Sequence, residues 1–219
     1  MLQHVYERAS QARYLSSTII ATDDPRVFDT ARNFGAQVRM TRADHLSGTD
    51  RVAEVASAEE AEIIVNIQGD EPFIDPDAID AAILPVEHNP EVVMATLKKE
   101  IEHQHEITDP NVVKVVTDLA GDAIYFSRCP VPFGRQGFPT RHFKHIGLYV
   151  YRRPFLLQYS SLPVGPLEQA ERLEQLRAIE NGYKIRVVET EYDSLGVDTP
   201  ADLERVAQFL DASLTARVR

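Results

Sequence analysis

Short β-branched runs separated by capped helical stretches constrain this chain more than any other feature. Residues 16–22 (SSTIIAT), 37–41 and 62–67 (EIIVNI) read as three strands. After the first, Asp23-Asp24-Pro25 offers an N-cap with a proline at the first helical turn, and Gly35 closes the helix that begins there. Residues 50–60 have helical spacing ahead of the third run. A βαβαβ order of this kind predicts a parallel sheet with right-handed crossovers.

The same reading continues along the chain. Residues 1–13 form an opening helix, Asp75-Pro76-Asp77 caps another to about residue 84, and residues 92–98 make a strand. The runs 112–118 (VVKVVTD) and 123–128 (AIYFSR) flank Leu119-Ala120-Gly121-Asp122 and predict a hairpin. Residues 145–152 (HIGLYVYR) and 184–188 are further strands. Residues 167–181 carry Leu167, Ala170, Leu173, Leu176 and Ile179 at helical spacing, which predicts one long amphipathic helix. A terminal helix is expected over 200–210. With no linker composition anywhere, residues 1–219 are expected to make one α/β domain with a mixed sheet.

Composition excludes several classes of function. The net charge of -11 disfavours nucleic acid and anionic lipid as partners. A single cysteine, Cys129, allows no internal disulfide and fits a reducing compartment such as the cytoplasm. No apolar run approaches the roughly 20 residues of a membrane helix, so no membrane insertion is expected.

Five stretches hold residues suited to chemistry. Gln68-Gly69-Asp70-Glu71-Pro72 follows an apolar strand, where α/β sheets place ligands, and Asp70 is suited to Mg²⁺. Leu195-Gly196-Val197-Asp198-Thr199-Pro200 puts a second aspartate before a helix, where it is equally suited to capping. Paired, Asp70 and Asp198 could carry a divalent metal to a triphosphate. The stretch 40–51 (MTRADHLSGTDR) combines Arg42 and Arg51, which suit an anion, with Ser47, Gly48 and Thr49, where either hydroxyl is also a helix cap. On a strand, His145, Gly147, Tyr149 and Tyr151 share one face, polar enough for a pocket. Glu174-Gln175-Leu176-Arg177 reads by itself as a solvated helix face.

Taken together, MTRADHLSGTDRVAE, VNIQGDEP, NVVKVV, IYFSR, HIGLYVYR, PLEQAERLEQLR and GVDTPADLERV resemble the 3-deoxy-manno-octulosonate (Kdo) cytidylyltransferases. The resemblance runs over almost the whole chain. It implies a Rossmann-like nucleotide-diphospho-sugar transferase fold, with a mixed, mostly parallel sheet and helices on both faces. It implies the reaction of CTP with Kdo to give CMP-Kdo and pyrophosphate, with Mg²⁺, in the cytoplasm and usually in a homodimer. Carried over by position, Asp70 and Asp198 hold the metal. Arg42, Ser47, Gly48, Thr49, Arg51 and Gln68 lie against the nucleotide, and Gln68, His145, Tyr149, Glu174 and Gln175 surround the sugar.

The sequence departs from the family in one large respect. The family opens with a strand and a loop approximating Pro-Ala-Arg-x-x-Ser-x-Arg-x-Pro-x-Lys-Pro, which cradles the triphosphate, and Met1 aligns just after that loop. The 219 residues by themselves are therefore expected to be essentially inactive. Two alternatives to Kdo activation are a non-catalytic remnant that keeps the fold and a cytidylyltransferase for another acidic sugar, such as a sialic-type acid.

Overall fold

The longest strand, β-rich and two-faced, is residues 143–152, and the other elements assemble around it. The computed structural model describes residues 1–135, 139–194, 196–197 and 204. In chain order the described elements are α1 (Leu2–Ala9), β1 (Ile19–Thr22), α2 (Pro25–Asn33), β2 (Gln37–Met40), α3 (Gly48–Ser57), β3 (Ile63–Asn66), α4 (Pro76–His88) and β4 (Met94–Glu100). They continue with α5 (Gln104–Thr108), β5 (Lys114–Thr117), β6 (Ala123–Ser127), β7 (Phe143–Arg152), α6 (Arg153–Tyr159), α7 (Pro166–Glu171), α8 (Leu176–Glu180) and β8 (Arg186–Glu189).

Local chemistry sets the helix starts. Asp24 accepts a hydrogen bond from the Arg26 N–H at 2.8 Å, with Pro25 in the first helical position. Asp75 caps α4 in the same way through the Asp77 N–H at 3.1 Å. Ser47, rather than Thr49, caps α3, accepting from the Asp50 N–H at 3.1 Å. Gly35, at φ 81°, makes the left-handed turn that ends α2.

β7 alternates its side chains between two cores. Ile146, Leu148 and Val150 are buried with α1 and α4 residues such as Val5, Ile79 and Ile83. Tyr149 and Tyr151 point to the opposite core, formed with α3, α6 and α8. Helices therefore cover both faces of an α/β sheet, as expected. The order is β6-β5-β7-β4-β8, with β3 also paired to β7.

Parallel pairing is narrower than the sequence predicts. Among the described residues it joins β1 to β2 and β4 to β8, whereas β3, β4 and β5 all run antiparallel to β7. The physical reason is the connection into β7. Its described residues hold no crossover helix, and a parallel return needs one. The expected hairpin is present as β5 and β6.

The βαβ series is also interrupted. β1 and β2 form a two-stranded sheet of their own, and β3 is not laddered to it. Between β1 and β3 lies an apolar cleft of about 420 Å³, lined by Ile19, Ile20, Val55, Ile63 and Val65, with Val5 of α1 at its wall. Apolar strand residues that a parallel sheet would bury are only half-buried here.

The helix expected over 167–181 is two helices, and this corrects the sequence reading. α7 ends at Arg172, which adopts a left-handed conformation at φ 52°. The Arg177 guanidinium folds back onto the Glu168 carboxylate at 2.9 and 2.6 Å. In one straight helix these residues would stand about 13.5 Å apart along the axis. Glu180 likewise returns to accept the N–H groups of Leu167 and Glu168 at the start of α7. Leu173 and Leu176 serve the core, while Leu167 stays exposed. The helix expected over 200–210 lies outside the described residues except for Glu204, which is helical.

Candidate active site

The carboxyl end of β3 delivers the first group of predicted residues. Gln68 and Gly69 are exposed and Asp70 is half-buried. The next residue, Glu71, turns inward. Burial raises its carboxyl pKa, opposed in part by hydrogen bonds, including one from the Tyr192 hydroxyl at 2.8 Å. The Val197 N–H donates to the Asp70 carbonyl at 3.0 Å, so the GVDTP segment arrives beside QGDEP. No cation pairs with the Asp70 carboxylate among the described residues. Nor do three His, Cys, Asp or Glu side chains converge as a metal-holding group among them. Asp198 lies outside the described residues.

A second cavity, of about 330 Å³, opens here and is lined by Gln68, Asp70, His145, Lys144, Asp193 and Gly196. His145 reaches it from β7. Desolvation pushes the imidazole pKa down to about 3, so the ring is neutral near pH 7. Its Nε2 lies 2.9 Å from the Thr96 hydroxyl, and its ring packs edge-on against Phe126 at 5.0 Å and near Tyr149 at 5.4 Å. Burial raises the Tyr149 hydroxyl well above its usual range. The predicted His-Gly-Tyr-Tyr face is thus real.

Lys144 forms the cationic rim of this cavity. Its ammonium lies 2.7 Å from both Glu106 and Asp193, and Lys99 adds a contact to Asp193 at 3.2 Å. Desolvation opposes the Lys144 charge, but the two carboxylates outweigh it and raise the pKa.

The 40–51 stretch and the LEQLR turn meet over the Tyr149–Tyr151 end of the same face of β7. Ser47 and Thr49 donate to the two Glu174 carboxylate oxygens at 3.0 and 3.1 Å. Burial pushes the Glu174 carboxyl up, and these hydroxyls hold it back. Thr49 also hydrogen-bonds Tyr151, and the Tyr159 hydroxyl donates to the Glu174 carbonyl at 2.6 Å. Glu174 is therefore no solvated helix face. Neighbouring Gln175 is buried with its Nε2 unpartnered.

The two arginines are both balanced by acids. Arg42 is exposed and lies 3.5 Å from Asp44 and 3.6 Å from Glu54. Arg51 pairs with Asp23 at 3.0 Å and donates to the Thr41 hydroxyl. Gly48 has open space around it, which fits the backbone access expected there.

Residues 1–185 match the model of a family described as cytidylyltransferase. The chain belongs to the cytidylyltransferase family. A 3-deoxy-manno-octulosonate cytidylyltransferase of Solibacter usitatus is 75% identical over 215 residues, covering 98% of this chain and 85% of that protein. One of the same name from Geobacter sulfurreducens is 55% identical, covering 96% of this chain and 88% of the relative. A solved CMP:2-keto-3-deoxy-manno-octonic acid synthetase complexed with CTP superposes with a TM-score of 0.93 at 45% identity, covering 97% of this chain and 88% of that one.

In this cytidylyltransferase the predicted residues fall into two groups. Gln68, Asp70 and His145 share the 330 Å³ cavity, and Ser47, Thr49 and Glu174 share a hydrogen-bond network. Gln68 lines both that cavity and the β1–β3 cleft, at the junction between them. Sequence reasoning missed Thr96, fully buried behind His145, and Glu54, which accepts from His45 and from the Arg42 N–H. Thr96 sits in an apolar strand run and offers no polar pattern to notice. Glu54 lies three residues after Arg51 on α3 and looks like an ordinary helix carboxylate. No helix among the described residues is long and apolar enough to cross a membrane.

Proposed function

We propose that this cytidylyltransferase transfers CMP from CTP to Kdo, releasing pyrophosphate and activating the sugar for lipopolysaccharide synthesis. The observation that carries this reading is the convergence of Gln68, Asp70 and His145 on one cavity, in a chain 75% identical to a protein named for that activity. In the reaction, the anomeric hydroxyl of the sugar attacks the α-phosphorus of CTP. The bond from that phosphorus to the bridging oxygen breaks, and pyrophosphate carries the electron pair away. Positioning and charge stabilisation do most of the work in such transfers.

The donor chemistry suits magnesium. Asp70 presents a carboxylate with no cationic partner among the described residues at a strand end, and Asp198 directly follows the residue docked on the Asp70 carbonyl. These two carboxylates would hold the ion, which when bound supplies charge neutralisation at phosphate oxygens. Arg42, Ser47, Gly48, Thr49, Arg51 and Gln68 line the nucleotide side, with Arg51 held by Thr41 and Asp23. Gln68, His145, Tyr149, Glu174 and Gln175 form the sugar side. Of these, Glu174 acts by holding Ser47 and Thr49, and Gln175 offers a free buried donor.

The reading includes a cytoplasmic homodimer. It also includes a role for the cleft between β1 and β3 as the seat of the strand that the family resemblance places ahead of α1, whose loop carries the phosphate donors. Pyrophosphate release with CTP, Kdo and Mg²⁺ tests the reaction. A sialic-type acid in place of Kdo separates the alternative substrate. Equal turnover with both sugars, or turnover with the sialic-type acid alone, would overturn the assignment to Kdo.

A further inference from the structure

Thr96 faces three partners at once. Its hydroxyl oxygen lies 2.9 Å from His145 Nε2, 3.1 Å from the Ile146 carbonyl and 2.8 Å from the Leu148 carbonyl. A register break creates this arrangement. The β4–β7 ladder passes from Thr96↔Tyr149 to Leu97↔Ile146, leaving Gly147 and Leu148 without an opposite residue on β4. Such bulges gather next to active sites.

A threonine hydroxyl has one hydrogen to give, and backbone carbonyls can only accept. If that hydrogen went to His145, two carbonyls would face bare oxygen lone pairs in a fully buried position, a costly arrangement. The hydrogen therefore goes to a carbonyl, and a lone pair faces the ring. Nε2 must then carry the imidazole hydrogen. The ring is neutral, so Nδ1 is bare, and among the described residues the ring makes its hydrogen bond through Nε2.

We propose that Thr96 sets the tautomer of His145, so that Nδ1 is an acceptor that takes a hydroxyl of the sugar and turns away its carboxylate. This rests on the reading above that the 330 Å³ cavity takes the sugar. A carboxylate has no hydrogen to donate at neutral pH and would meet the Nδ1 lone pair with its own. The sugar acid must then be bound with a hydroxyl toward β7 and its carboxylate toward donors elsewhere. Thr96 is a positioning residue in this account, since it acts through His145.

The test is ring-nitrogen NMR of the chain labelled with ¹⁵N-histidine, followed by titration with Kdo. The expected result is a hydrogen on Nε2 and a bare Nδ1 whose resonance shifts as Kdo binds. A hydrogen on Nδ1 in the free protein would overturn the proposal. An Nε2–H form that ignores saturating Kdo would instead fault the placement of the sugar, and with it the reading on which the ligand half rests. In binding titrations, Thr96→Val should raise the dissociation constant for Kdo about tenfold and leave that for CTP unchanged, with Thr96→Ser restoring the parent value. Equal changes in both constants would point to a structural role and count against the proposal. The wild-type spectrum decides the tautomer even if the valine variant fails to fold.

Discussion

The Val197 N–H donates to the Asp70 carbonyl at 3.0 Å, joining strand-end segments that lie more than a hundred residues apart in the chain. This bond is made by backbone, so it fixes where the two loops meet regardless of the side chains they carry. The side chains are then free for ligand. In a chain extended by the family's N-terminal strand and loop, Asp70→Asn should abolish CMP-Kdo formation while leaving the melting temperature within about 2 °C of its parent. Turnover within a few-fold of the parent at saturating Mg²⁺ would remove Asp70 from the metal site.

Arg177 and Glu168 form a bidentate pair whose side chains are only 12% and 11% exposed. Removing one member of a buried pair leaves an uncompensated charge. Arg177→Met should therefore destabilise the chain by about 3 kcal/mol, measured by urea unfolding. Because this pair holds α7 against α8, the variant should also weaken Kdo binding. A loss below about 1 kcal/mol would show that the fold-back does not depend on it.

Ser47 does two things: it caps α3 and donates to Glu174. Ser47→Ala loses both and should cost about 1–2 kcal/mol. Ser47→Asp keeps a cap but sets a second carboxylate against Glu174. It should retain helix stability at the α3 start while weakening nucleotide binding. Calorimetry with CTP against thermal unfolding separates the two effects, and parallel losses in both variants would contradict this division.

Asp122 should govern part of the acid sensitivity. Burial alone would raise its carboxyl pKa, but hydrogen bonds from Arg186 and Lys184 outweigh burial and hold it below the usual 3.8. A depressed acid contributes stability that is present above its unfolded pKa and is lost as pH falls through the folded one. The advantage of the parent over Asp122→Asn should be full above about pH 4 and shrink below it. Urea midpoints measured from pH 7 downward check this, and a constant difference across that range would refute it.

The cleft between β1 and β3 gives a test by extension rather than by substitution. Fusing ahead of Met1 a strand and loop of the Pro-Ala-Arg-x-x-Ser-x-Arg-x-Pro-x-Lys-Pro pattern that the family resemblance implies should raise the melting temperature by several degrees and raise pyrophosphate release by orders of magnitude. Charge-assisted phosphate contacts contribute about 1.5–3 kcal/mol each, so several together account for such a change. Equal rates with and without the extension would show that the phosphates are held by other groups.

Much of this architecture was legible in the sequence. Asp24-Pro25 and Asp75-Pro76 announce helix starts because capping is local chemistry. The shared face of His145, Tyr149 and Tyr151 follows from strand alternation. The break at Arg172 was not legible, because Leu167 through Ile179 keep helical spacing on both sides of it. What breaks the helix is tertiary: Arg177 finds Glu168, and Glu180 finds the α7 amides. The strand directions around β7 were hidden for a similar reason, since no residue of residues 143–152 encodes the side from which the chain enters. Thr96 was invisible because its partners are carbonyls, which every sequence has.

The separation of β1 and β2 from the main sheet carries a dynamic consequence. Among the described residues that pair shares no ladder with the main sheet and is tied to the remainder by packing and by polar side-chain contacts such as Tyr6 with the Gln37 N–H and Arg39 with Glu59, whereas β7 is laddered along both edges. Amide exchange in β1 and β2 should proceed through a low-energy local opening, while β7 exchanges only when the whole chain unfolds. Arg42, which follows β2, then belongs to the breathing part, while Ser47 and Thr49 are held through Glu174 to the rigid part. A nucleotide that spans the two would slow exchange in β1 and β2 by mass action, so CTP would act as a fastener between regions that the polypeptide leaves independently stable.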